Sequence, residues 1–256
     1  MADATEPVLL RRDADGICFL ALNRPAARNA LNAELFLALD REIAALAAEP
    51  DTTGVVVLSG SGSCFSAGND IGSLGHASKL PSPHFQAEVL ERIEALPQVV
   101  VAAVHGYCMT GALELVLACD LIVAADTARF RDTHGQLGLL PHWGMTQRLP
   151  RMVGLQQARR MMYSGQPVTG EQAVGMGLAV SCVPEAQLAE AAETLARQIA
   201  QNAFWTLRHE KRQMLDGHNL PYTQALRRER EESPGRSPDF ADRLKAVKAR
   251  LARPAA

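Results

Sequence analysis

Hydrophobic and polar positions change period several times along the chain, and each change marks an element. Two short β-type runs, residues 8–11 and 17–22, flank the turn-forming cluster Asp13-Ala14-Asp15-Gly16, so the chain is expected to open with a hairpin. From Asn32, a residue suited to capping a helix, apolar side chains at Leu35, Phe36, Leu39, Ile43 and Leu46 recur at helical spacing until Pro50. Residues 55–59 form an apolar run of strand length. After a Gly/Ser-rich loop and a polar stretch, residues 85–96 predict a helix and 99–104 another buried strand. Residues 111–119 are apolar almost all round, with Glu114 as the only charge, which predicts a buried helix carrying one acid. Strands are expected again at 121–124 and 178–183. Beyond Pro184 the pattern is helical and increasingly charged, with helices expected over 185–200, 204–215, 221–232 and 240–251.

This order predicts an α/β core over residues 1–184 followed by a C-terminal helical region over 185–256. At 256 residues and 47% hydrophobic content the chain can bury a substantial core. The formal charge of −2 gives no overall field for nucleic acid or an anionic membrane. Basic residues do gather near the C-terminus, at Arg208, Lys211, Arg212, Arg227, Arg228, Lys245, Lys248 and Arg250. Interspersed Glu210, Glu229, Glu231 and Glu232 favour a solvated helical surface over a nucleic-acid face. The cysteines, Cys18, Cys64, Cys108, Cys119 and Cys182, include no C-x-x-C pair and sit among small or apolar neighbours. They read as buried thiols in a reducing, cytoplasmic setting. Residues 1–7 lack the basic start and apolar core of a signal peptide, and no apolar run is long enough to span a bilayer.

Three stretches are poorly explained by packing alone. In Cys64-Phe65-Ser66-Ala67-Gly68-Asn69-Asp70, small residues and a glycine directly follow a buried strand, a setting that points backbone N–H groups into a cleft or merely reverses the chain. The run is no phosphate loop, because no Lys-Ser or Lys-Thr follows the glycines. In residues 105–114, a strand leads to the start of the buried helix, where unpaired N–H groups suit a developing anion. Glu114 lies one turn inside, and a carboxylate there calls for either a buried ion pair or a catalytic task. Residues 130–150 are dense in titratable and glycine residues and include His134, which is either functional or simply hydrogen-bonded to Asp132 or Thr133. No spacing suggests a metal site, and G-x-S-x-G is absent.

Taken together and in order, these stretches resemble the enoyl-CoA hydratase/isomerase (crotonase) family over residues 8 to about 184. Asn23-Arg24-Pro25-Ala26-Ala27-Arg28-Asn29-Ala30-Leu31 is similar to the family's N-R-P-x-x-x-N-A-L signature, and Phe65-Ser66-Ala67-Gly68-Asn69-Asp70-Ile71 to its F-S-A-G-x-D-[IL] turn. The 105–120 and 137–149 segments follow in the family's order. The resemblance implies a crotonase-like spiral of ββα turns with a C-terminal helical subdomain that mediates assembly into a homotrimer or a hexamer of two trimers. It also implies an acyl-CoA thioester substrate, with coenzyme A as part of the substrate and no separate cofactor. The backbone N–H groups of Asn69 and Gly111 would hold the thioester oxygen, and Glu114 matches the family acid that orients or deprotonates water. The sequence departs from the hydratase pattern at His134, which stands where the second glutamate is expected. A histidine can replace that acid as proton donor, so hydration of a 2-enoyl-CoA remains the leading expectation. Isomerisation, hydrolysis, decarboxylation, retro-aldol cleavage and non-catalytic acyl-CoA binding stay open as alternatives. Arg24, Arg28, Ala30 and Ala67 are placed near coenzyme A by the same resemblance. Leu74 falls in the variable region that shapes the acyl pocket, where His76 and His84 either reach the site or lie on the surface. Trp143 either walls that pocket or belongs to the core.

Overall fold

The computed structural model of the chain describes residues 6–73 and 80–251. Leu9–Ala14 (β1) and Ile17–Leu22 (β2) pair antiparallel. Asp15 and Gly16 between them both take positive φ, the two-residue turn whose twist suits a hairpin. Asn32 caps Ala33–Ala47 (α1), its side chain accepting the Leu35 N–H at 3.0 Å. The chain then returns as Val55–Gly60 (β3), parallel to β2. Phe85–Glu94 (α2) leads to Val99–Val104 (β4), parallel to β3.

Here the spiral steps into a second layer. Tyr107–Met109 (β5) leaves the main sheet, Gly111–Leu117 (α3) turns back, and Leu121–Ala125 (β6) rejoins the main sheet beside β4. Arg129–Arg131 (β7) then pairs parallel with β5. His134–Leu137 (α4), Met145–Val153 (α5) and Leu155–Ser164 (α6) follow. Val168–Thr169 (β8) closes the small sheet against β7, and Gly170–Gly175 (α7) leads to Ser181–Val183 (β9) at the edge of the large one. The result is a six-stranded sheet in the order β1-β2-β3-β4-β6-β9 and a three-stranded sheet in the order β5-β7-β8. This is the α/β spiral that the sequence resemblance implies.

The middle strands are apolar on both faces because both faces are covered. Alternate side chains point to opposite sides of a strand. Val56, Leu58, Val100, Ala102 and Val104 therefore join the large core with α1, α2 and α3. Val55, Val57, Val101, Ala103 and Val123 meet Leu188, Ala192 and Ala196 of Leu188–Ala200 (α8) on the other side. Thus α8, though it lies beyond Pro184, seals the second face of the sheet.

Several element boundaries shift from expectation, and two of the shifts have a clear cause in the backbone hydrogen bonds. The strand expected over 178–183 begins only at Ser181, because Leu178 and Ala179 donate their N–H groups to Ala173 O and are buried against the end of α7. The buried helix ends at Leu117 rather than Cys119, because Ala118 and Cys119 close a tighter turn onto Leu115 O and Val116 O.

Phe204–Gly217 (α9) is fixed to the core by Lys211. Its buried ammonium donates to Gln98 O at 2.9 Å and to Asp120 Oδ2 at 2.7 Å. Lys211 is therefore not part of a basic surface, and Arg208, Arg212, Arg227 and Arg228 are each paired with an acid. Tyr222–Glu231 (α10) and Phe240–Leu251 (α11) bury none of their residues. Cys18, Cys64, Cys108 and Cys119 are buried and Cys182 is half-buried, all as free thiols. Among the described residues no helix is long and apolar enough to cross a membrane.

Candidate active site

The segment after β3 is threaded between the 24–31 loop and β5, and backbone hydrogen bonds hold it on both sides. Phe65 N donates to His105 O and Ser66 N to Tyr107 O, at 2.8 and 2.9 Å. On the other side Ala67 N donates to Arg28 O, Leu31 N to Gly68 O and Asp70 N to Leu31 O. The fully buried Asn29 locks this arrangement, its amide donating to Ser61 O and Cys64 O while its Oδ1 accepts Arg24 N–H. Gly68 is required at its position. Its φ is +93°, and a Cβ there would stand 2.4 Å from Met109 O. That close approach brings Asn69 alongside the start of α3, where a Cβ on Gly111 would lie 3.3 Å from Asn69 N. Among the described residues neither the Asn69 nor the Gly111 N–H donates to a protein acceptor.

Thr110, directly before Gly111, has a φ of +49°, a strained conformation for a β-branched residue. The strain is held by its neighbours. Thr110 N donates to Arg131 O at 2.7 Å, its hydroxyl accepts Thr133 N–H at 3.2 Å, and the two threonine hydroxyls are hydrogen-bonded. The α3 start is thereby tied to the β7–α4 segment.

Glu114, 2% exposed, faces that segment from the first turn of α3. Its Oε1 accepts the N–H groups of Trp143 and Met145 at 2.9 and 3.1 Å. Its Oε2 lies 3.8 Å from His134 Nε2, beyond direct hydrogen-bond reach but close enough for a proton to pass with a small movement or one bridging water. Burial pushes the Glu114 carboxyl above the ordinary carboxylate value, and the Met145 N–H, the His134 ring and the Trp143 N–H oppose the rise. On its far side His134 offers Nδ1 to Asp132 Oδ1 at 2.6 Å. Glu114 thus serves neither as a plain structural ion pair nor as an isolated acid, since one oxygen is anchored and the other points at a histidine.

These groups open into one cavity of about 180 Å³, lined by Ala67, Asn69, Gly111, Glu114, His134 and Trp143 among others. Trp143 lies between the cavity and the core. Its ring lines the cavity and also packs edge-on against Phe36, with centroids 5.1 Å apart. Arg24 is turned inward, bonded to Ala30 O and to Asp70 Oδ2, while Arg28 is exposed beside Tyr107. Arg24, Arg28 and Ala30 do not line the cavity. His84 is exposed at the start of α2 and does not line it. Leu74 and His76 lie outside the described residues. The pattern along the chain gave no hint of the aliphatic rim formed by Ile71, Leu137, Leu139 and Leu140, all substantially exposed, nor of His142 beside them. Asn29 was visible only as a letter of a motif.

The family model described as "Enoyl-CoA hydratase/isomerase" matches residues 12–237. The chain is 34% identical over 216 residues to 2,3-dehydroadipyl-CoA hydratase of Escherichia coli K12, covering 84% of each protein. It is 30% identical to the short-chain-enoyl-CoA hydratase of Clostridium acetobutylicum, over 77% of this chain and 76% of that one. In three dimensions it superposes on the crystal structure of enoyl-CoA hydratase from Bacillus anthracis with a TM-score of 0.89 at 30% identity, covering 95% of this chain and 96% of the other.

Proposed function

The chain belongs to the enoyl-CoA hydratase/isomerase (crotonase) family, and from that premise we propose that it adds water across the double bond of a 2-enoyl-CoA thioester. The observation that carries the reading is the convergence on one cavity of two backbone N–H groups without a partner among the described residues, Asn69 and Gly111, with Glu114 Oε2 and His134 Nε2.

The chemistry follows from where charge must go. Glu114 takes a proton from water as the water oxygen bonds to the β-carbon. The π electrons move toward the thioester carbonyl, whose oxygen becomes an enolate held by the two N–H groups. Preorganised donors of this kind are worth roughly 3–4 kcal/mol each to the transition state. The α-carbon then takes a proton from His134 Nε2, completing addition of one water. Protonated Glu114 and neutral His134 remain, and passage of the proton from Oε2 to Nε2 across the 3.8 Å gap restores both groups. The raised proton affinity of Glu114 suits its part as acceptor.

The aliphatic rim of Ile71, Leu137, Leu139 and Leu140 supports an unsubstituted acyl chain as the group bound beyond the β-carbon. In α11, Phe240, Leu244, Val247 and Leu251 recur at helical spacing and stay exposed, which supports burial of the C-terminal helices against further copies, as a homotrimer or a hexamer of two trimers. The free, largely buried thiols suit a reducing compartment such as the cytoplasm.

Loss of absorbance from the conjugated thioester, with product analysis over enoyl-CoAs of increasing length, tests the reading. A 3-hydroxyacyl-CoA is expected. A 3-enoyl product, free coenzyme A, or tight binding without turnover would replace hydration by isomerisation, hydrolysis or simple binding. His134→Ala is expected to lower turnover by about 10²–10⁴-fold, the usual range for a lost acid or base.

A further inference from the structure

We infer that Asp132 is a positioning residue that fixes which nitrogen of His134 does the chemistry, so that the site works through an Asp132–His134–Glu114 chain. The inference rests on the hydratase reading above and adds a residue to it. Asp132 is 2% exposed, and its Oδ1 accepts both the backbone N–H of His134 at 3.1 Å and the ring Nδ1 at 2.6 Å. One carboxylate oxygen therefore holds both the main chain and the ring of the residue two positions on.

The consequence is a matter of donors and acceptors. A carboxylate can only accept, so the bond to Nδ1 requires a proton on Nδ1 in both charge states of the ring. Nε2 is then the variable nitrogen, an N–H in the imidazolium and a bare lone pair in the neutral ring. The proposed cycle needs this. Once His134 has protonated the α-carbon, its Nε2 must be empty to take back the proton that Glu114 removed from water, and Oε2 is the carboxyl oxygen facing it. Nδ1 keeps its own proton throughout, and no other group is consumed. Without Asp132 the neutral ring is free to carry its proton on Nε2. In that tautomer it can neither accept from Glu114 nor be reset, although substrate still binds. The other neighbours of the ring do not supply this control. Thr110 and Thr133 offer neutral hydroxyls tied to each other, and among the described residues no hydrogen bond joins the exposed His142 to the ring.

Asp132→Asn keeps the shape and replaces the obligate acceptor by an amide able to donate to Nδ1. It is expected to lower kcat by about 10²–10⁴-fold with KM moved by less than about threefold, with Asp132→Glu partly restoring turnover. In the His134→Ala background the same change should cost nothing further, since both residues act as one unit. A direct readout is ¹⁵N NMR of the histidine-labelled protein, with His134 identified among the seven histidines by its loss in His134→Ala. The neutral wild-type ring should carry its proton on Nδ1, and Asp132→Asn should shift it toward Nε2. Full turnover in Asp132→Asn beside an impaired His134→Ala would overturn this inference alone. Full turnover in His134→Ala would overturn the proton-donor reading and this inference with it. A wild-type ring protonated on Nε2 when neutral would refute the inference without any variant, even if Asp132→Asn did not fold.

Discussion

Adding one methyl group at Gly111 puts the proposed anion site under direct strain. A Cβ at this position would lie 2.4 Å from Trp143 Cζ3 and 3.0 Å from Cε3, well inside contact distance, and 3.3 Å from Asn69 N. Two separate consequences follow. Pushing the indole aside is an overpacking change, costing about 1–3 kcal/mol of stability. The methyl also occupies the space in which a thioester oxygen would bridge the two amides, so at least one donor is lost to the transition state. That loss is worth roughly 3–4 kcal/mol, or about 10²–10³-fold in kcat/KM. Trp143→Leu separates the two effects. In that background the added methyl meets no ring, so the stability cost of Gly111→Ala should shrink while its kinetic cost persists. Thermal melts report the first quantity and hydration of trans-2-butenoyl-CoA the second. If Gly111→Ala stayed within about tenfold of wild type, or recovered fully once Trp143 was trimmed, the carbonyl oxygen could not sit between these amides.

Glu114→Gln should abolish proton transfer yet spare the fold, lowering turnover by about 10²–10⁴-fold. Because burial raises the folded-state proton affinity of Glu114, the native chain binds more protons than the unfolded chain between the ordinary carboxylate value and the raised one, and stability falls as pH rises through that window. The glutamine variant escapes this fall, so its melting temperature relative to wild type should rise on going from acid to mildly alkaline buffer. A relative decline would show that ionised Glu114 stabilises the fold. Lys211→Met should leave Asp120 Oδ2 without its cation and cost about 3 kcal/mol, the low end for a broken buried pair because Asp120 keeps partial exposure. Chemical denaturation should show the loss reduced in Lys211→Met/Asp120→Asn, and equal losses would remove the pair from the account of how α9 is held.

Features governed by local rules could be read from the residues themselves. The hairpin turn at Asp15-Gly16, the Asn32 cap and the strands apolar on both faces each follow from short-range geometry or from simple covering of a sheet. The small sheet escaped that reading because β5, β7 and β8 are two or three residues long, too short to establish a period. Glu114 could be recognised as a buried acid that needed a task. Its anchors could not, because the N–H groups of Trp143 and of Met145 at the start of α5 lie 29 and 31 residues away and carry no side-chain signature. The sequence pairs His134 with Asp132 as neighbours able to hydrogen-bond, but only the fold shows the second ring nitrogen turned toward Glu114. The Ile71, Leu137, Leu139 and Leu140 rim unites two distant segments whose residues, taken singly, look like ordinary surface aliphatics.

The parallel pairing of β5 with β7 works as a ruler for the site. Met109 stands opposite Arg131, with Gly111 two residues past the first and His134 three past the second. Slipping this register by one residue would displace the histidine from the two amides of the proposed anion site by about 3.3 Å, more than any proton hop tolerates. Insertions in either strand should therefore be ruinous, whereas exchanging the side chain at position 134 leaves the spacing untouched. On the proposed mechanism, such a scaffold can trade one proton carrier for another, and with it one reaction for another, without rebuilding the pair of amides at the start of α3.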